Sequence, residues 1–130
     1  MASQLPVVLL IVLSIQAVTP REKSLRTPAQ QKLSSQLLTA IQRARQSPDA
    51  KASFDDLLVR VDAKQRALVD VRAAVTADMK RQLARLGSAI VSTSISADSL
   101  IAWVPLLKLE QLAGLASVRA IEPAAEATHK

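Results

Sequence analysis

Cysteine, asparagine and tyrosine do not occur in this sequence, and glycine, phenylalanine, tryptophan and histidine are scarce. Without cysteine there is no disulfide, no thiolate metal site and no thiol nucleophile. A cysteine-free chain suits either redox compartment, so this absence does not locate it. The two glycines, Gly87 and Gly114, are too few for a phosphate-cradling loop. The one histidine, His129, stands next to the C-terminus with nothing to orient it, whereas a catalytic triad needs geometry held by neighbouring groups. Asp55-Asp56 and the scattered acids lack metal-like spacing with His or Cys. Ser92-Thr93-Ser94 lies in a strand-like run, which is not the context of a nucleophile elbow. No catalytic constellation, metal site or cofactor site emerges, and the chain reads as a non-enzyme.

What remains is enough for a folded domain. Hydrophobic residues make up 49% of the 130, too many for a disordered tail. The core must be aliphatic, because Phe54 and Trp103 are the only aromatics. The formal charge of +6 is spread along the chain and forms no stripe. A nucleic-acid binder pairs a basic stripe with stacking aromatics or a recognition helix, and neither is present. The basic excess reads as a solvated surface.

Residues 5–18 form a charge-free apolar run, shorter than the roughly 20 residues of a membrane-spanning helix. They fit the apolar region of a signal peptide with Ala17 as the small residue for cleavage, although residues 1–4 carry no Lys or Arg. Export follows, or anchoring if this segment stays uncleaved. Residues 19–56 read as a linker with one amphipathic helix at about 29–46. Its stripe is Leu33, Leu37, Leu38 and Ile41, and Pro48 stops it.

Regular patterning begins at residue 57. Leu57 to Val61 suggest a short strand. Residues 67–75 alternate with period two, the mark of a half-buried strand. Thr76 stands at an N-cap position, Met79, Leu83 and Leu86 share one helical face, and Gly87 falls just past the end. Residues 89–95 are β-branched and strand-like, and residues 100–104 are the return strand of a hairpin. A second helix over 106–116 buries Leu109, Leu112 and Leu115 or Ala116. Residues 118–121 form a last strand stopped by Pro123. The order βαββαβ predicts an α+β, ferredoxin-like sandwich at 57–126, with both helices on one face of a four-stranded antiparallel sheet and a tail at 127–130.

The ordered set Leu68-Val69-Asp70-Val71-Arg72, Leu86-Gly87 before Ala89-Ile90-Val91, Ala102-Trp103-Val104-Pro105-Leu106, Leu109, Leu112-Ala113-Gly114-Leu115 and Val118 to Ala124 resembles the propeptide domain of subtilisin-like serine proteases. The resemblance covers about half the chain. It implies a protein partner, a subtilisin-like protease whose folding such a domain assists and whose activity it inhibits. The open sheet face would dock on the enzyme through Leu68, Ile90, Ile101 and Trp103. The tail, Pro123, Ala124, Ala125, Glu126, Ala127 and Thr128, would lie in the active-site cleft like a substrate. No protease sequence follows Lys130, so the implied action is in trans, or in cis from a longer precursor. Membrane contact is expected only through residues 5–18. Two other readings stay open: a small-ligand regulatory module of the same fold, and an envelope-anchored structural protein.

Overall fold

The computed structural model describes residues 25–46 and 54–124. The signal-like segment, the first part of the linker and the tail from Ala125 onward lie outside the described residues.

Thr27 and Gln30 cap each other reciprocally at the start of α1 (Pro28–Gln31), each side chain accepting the other's backbone N–H. The helix expected over 29–46 then breaks at Lys32–Ser34 and resumes as α2 (Ser35–Gln46). The cause of the break is long-range. The Ile121 N–H donates to the Lys32 carbonyl at 2.8 Å, and the Ser34 N–H donates to the Ile121 carbonyl at 3.3 Å. Leu33 thus leaves helical geometry to form a parallel bridge with Ile121. The buried stripe of α2 is Leu37, Ala40, Ile41 and Ala44, with Leu38 only half-buried.

Residues 57–61 do not form the expected strand. A 3-10 turn occupies Asp55–Leu57, Leu58 adopts left-handed backbone, and only Val61 bridges to Ala67. Asp62 then turns the chain. Its carboxylate accepts the N–H of Lys64 at 2.9 Å and of Arg66 at 2.8 Å, and it pairs with the Arg66 guanidinium at 2.8 Å. Strand β1 (Arg66–Ala73) buries Ala67, Val69, Val71 and Ala73 completely.

Thr76 caps α3 (Ala77–Arg85), its hydroxyl accepting the Met79 N–H at 3.0 Å. The helix closes at Gly87, whose φ of 86° suits a residue without Cβ. There the Gly87 N–H reaches Ala84 and the Ser88 N–H reaches Leu83, satisfying two terminal carbonyls. Strands β2 (Ala89–Ser94) and β3 (Ser99–Pro105) form a hairpin whose turn places Asp98 in left-handed backbone. The second helix is shorter than expected: a 3-10 turn at Leu106–Lys108 leads into α4 (Leu109–Ala113). Strand β4 (Val118–Pro123) follows and runs two residues further than the sequence pattern suggests.

The fold is α+β, with one four-stranded antiparallel sheet in the order β2-β3-β1-β4. The inward side chains of β1 and β3 share one hydrophobic cluster with Met79 and Leu83 of α3, Leu109 and Leu112 of α4, and Leu37 and Ile41 of α2. The amphipathic helix ahead of the sheet is therefore part of the same core, on the helical side. It does not cover the opposite face.

Candidate functional site

The side of the sheet away from that cluster is organised in three cross-strand rows, because residues paired across a ladder point the same way. The first row runs Ala89, Trp103, Leu68, with Ala124 beyond it. The second runs Ser92, Ile101, Asp70, Glu122, and the third Ser94, Ser99, Arg72, Ala120. The apolar character is concentrated at one end of this face.

The backbone of Leu68 builds that end. Its N–H donates to the Arg60 carbonyl at 2.9 Å, and its carbonyl accepts the Ala124 N–H at 3.0 Å. Both neighbours are thereby held beside Leu68, and the Arg60 guanidinium lies over the Trp103 ring, 5.8 Å from its centroid. A cation over an indole face is attracted by the ring quadrupole. Trp103 stays half-buried, so one part of the ring is shared with Arg60 and another remains open. Leu68 is only 6% exposed yet lies outside the main core cluster, as expected for a side chain buried by its neighbours on the open face.

The second and third rows carry a polar network. The Ser99 hydroxyl donates to Asp70 at 2.6 Å, and the Arg72 guanidinium pairs with the other Asp70 oxygen at 3.3 Å. Period two puts Asp70 and Arg72 on one face, so their proximity is legible in the sequence. Nothing local announces Arg60, because only the turn at Asp62 brings it over Trp103. Partial burial pushes the Asp62 carboxyl up. The Arg66 N–H, its guanidinium and charge, and the Lys64 N–H pull the other way and hold the group below the ordinary Asp value.

The structure thus brings Leu68, Ile101 and Trp103 onto one face and separates Ile90 from them. Ile90 pairs with Ala102, which points into the helical side, so Ile90 lies on that side at the edge of the sheet, where it stays 38% exposed. The irregularity at Val91, between Ile90 and Ser92, then brings Ser92 opposite Ile101 on the open face. The expected four-residue apolar patch is correspondingly smaller, since Leu68 is covered and Ile90 is absent from it.

Pro123 and Ala124 are also placed differently from a free tail. Pro123 pairs with Val69 inside β4, and the Ala124 N–H bonds to Leu68. The N–H groups of Ile121 and Ala124 point to opposite sides of β4, so position 123 directs its nitrogen away from β1. Proline is tolerated there because it has no N–H to lose from the ladder. Ala125, Glu126, Ala127 and Thr128 lie outside the described residues. An open cleft beside this end is lined by Ser34, Gln36, Leu58, Glu122, Pro123 and Ala124.

Among the described residues, no group of three or more His, Cys, Asp or Glu stands together as a metal site, and no helix is long and apolar enough to cross a membrane. No protein family, curated protein or solved structure matches this chain.

Proposed function

We propose that this protein is an exported, non-catalytic binding module that docks on a subtilisin-like serine protease, inhibiting it or assisting its folding. The fold this reading assumes is the ferredoxin-like sandwich. The element order β1-α3-β2-β3-α4-β4 and the strand order β2-β3-β1-β4 support it.

One observation carries the functional reading: the helix-free face presents a half-buried Trp103 beside Ile101, flanked by Arg60 and a covered Leu68. A solvated antiparallel sheet face is ordinarily polar throughout. Tryptophan and arginine are the residue types most often found as interface anchors. Docking starts from this apolar end, and the segment after Ala124 continues toward the active-site cleft of the partner. Pro123, inside β4, and Ala124, bonded to Leu68, set the point from which that segment leaves. Export rests on residues 1–18, whose apolar run suits a signal peptide.

The test is inhibition of purified subtilisin-like proteases by the full chain, with a time course. Saturable inhibition that fades as the inhibitor is digested supports the reading. Trp103→Ala should weaken it by more than about 1 kcal/mol, roughly fivefold or greater, with unchanged circular dichroism. A folded chain that inhibits none of several such enzymes, or a Trp103→Ala variant that inhibits as well as the parent, would defeat it.

A further inference from the structure

A cleft of about 290 Å³ opens on the helical side of the sheet, among α1, α2 and α4. One wall is a stripe of α2: Ser35, Leu38 or Thr39, Gln42 and Arg45 recur at steps of three or four residues and share one helical face. The rest of the lining comes from Arg26 just ahead of α1, Gln30 of α1 and Glu110 of α4. Part of this lining is locked. The Gln30 side-chain oxygen accepts the Thr27 N–H at 3.0 Å, and its amide donates to Glu110 at 2.8 Å. The other Glu110 oxygen pairs with the Arg45 guanidinium. Arg26 is different. It is half-buried in the lining, and among the described residues its guanidinium has no hydrogen-bond or ion-pair partner. The side chains of Ser35, Thr39 and Gln42 also have no partner among the described residues. Half-buried Leu38 and almost wholly buried Ile41 add an apolar strip.

We propose that this cleft binds a small organic monocarboxylate, with its carboxylate on Arg26 and its carbon chain along Leu38 and Ile41. Charge selects the head group. Glu110 balances Arg45, which leaves the positive charge of Arg26 over, partly withdrawn from water. A charge-assisted pair is stronger there than at a fully exposed site. A guanidinium fork matches a carboxylate with two parallel hydrogen bonds. The Ser35 and Thr39 hydroxyls and the Gln42 amide are further donors for the same head group. A phosphate dianion would bring a second negative charge beside Glu110, and an inorganic anion would leave the apolar strip uncovered. The volume lies at the lower limit for ligand pockets, so the carbon chain is short. A ligand of so few atoms binds weakly, in the millimolar range.

Amide NMR titrations of the full chain test this, with butyrate as the probe. Butyrate should shift the signals of residues 26–45 and Glu110 saturably, and leave those of Leu68, Ile101 and Trp103 still. Butyramide, of the same shape but uncharged, and inorganic phosphate should not saturate the cleft at the same concentrations. Arg26→Ala should weaken butyrate binding by roughly tenfold or more, the expected loss for a hydrogen-bonded charge pair. Arg81→Ala, exposed on α3, should bind butyrate as the parent does. Absence of a saturable butyrate shift overturns the proposal. So does butyramide or phosphate binding as tightly as butyrate, or an Arg26→Ala variant with undiminished affinity. If Arg26→Ala fails to fold, the comparison of the three probes on the parent decides. The cleft is built from the helices and the docking face from the opposite side of the sheet, so protease inhibition and butyrate binding succeed or fail independently.

Discussion

Three residues show how much of this protein is local chemistry. Thr76 is preceded by an alternating strand and followed by Asp78 and Met79, and its hydroxyl accepts the Met79 N–H as an N-cap should. Thr76→Ala should cost about 1 kcal/mol in urea unfolding, with Thr76→Asp nearly neutral. Gly87 sits at a φ of 86°, with Pro105 Cγ 3.6 Å from where a Cβ would be. That spacing is ordinary contact, so the expense of Gly87→Ala is conformational and should be about 1 kcal/mol. Gly87→Asn should lose less, because asparagine tolerates left-handed backbone. Asp62 contributes a pH dependence. Its folded pKa lies below the unfolded value, so its stabilisation is complete above the ordinary Asp range. The contribution is lost as pH falls below about 4 and through the folded value. Thermal melts of the parent should show this acid loss, and Asp62→Asn should flatten it while lowering stability at neutral pH.

At the scale of elements, periodicity and caps made the strands and α3 legible, while element ends were decided by partners. The run 29–46 has helical spacing throughout, yet it divides at Lys32–Ser34 because β4 offers hydrogen bonds that the helix interior does not. Residues 118–121 read as a strand ended by Pro123, but a proline whose nitrogen points away from the neighbouring strand does not end one. Ile90 shows the same limit on the site. Its residue type suited an exposed patch, and only the pairing of Ala89 with Trp103 reveals that the next residue faces the other way. α2 supplies Leu37 and Ile41 to the core, and each is almost wholly buried. Leu37→Ala should destabilise by about 2–5 kcal/mol in chemical denaturation, the range for a buried leucine. A loss under 1 kcal/mol would mean that α2 is peripheral.

For the whole molecule, the decisive feature is that one core serves both the sheet and the segment ahead of it. Residues 57–130 include every strand found among the described residues and read in isolation as a self-sufficient domain. Removing residues 25–46 would strip Leu33, Leu37, Ala40, Ile41 and Ala44 from the cluster and uncover the edge of β4. A chain starting at residue 57 should therefore show non-cooperative melting and bind a hydrophobic dye, whereas the full chain melts cooperatively. Inhibition assays accordingly require the full chain. The helix-free face is the other property of the whole. Its apolar end depends on Arg60, Leu68, Trp103 and Ala124, four residues from four separate stretches of sequence. Trp103 is the only tryptophan, so its fluorescence reports this end directly. Arg60→Ala should shift the emission to the red as the ring gains water, with the melting temperature little changed.

By itself the sequence determined the four strands β1 to β4, helix α3 and their order, because side-chain period, capping hydroxyls and a glycine at a left-handed position act over a few residues. It also determined that the core is aliphatic and that no disulfide exists, since those follow from composition. Only the tertiary structure decided the break at Lys32–Ser34, the placing of α2 in the helical layer, the placing of Ile90 on the helical side and the seat of the Arg60 guanidinium over Trp103. These depend on backbone hydrogen bonds between residues far apart in the chain. Such bonds set register one residue at a time, and no local pattern encodes which distant partner will supply them.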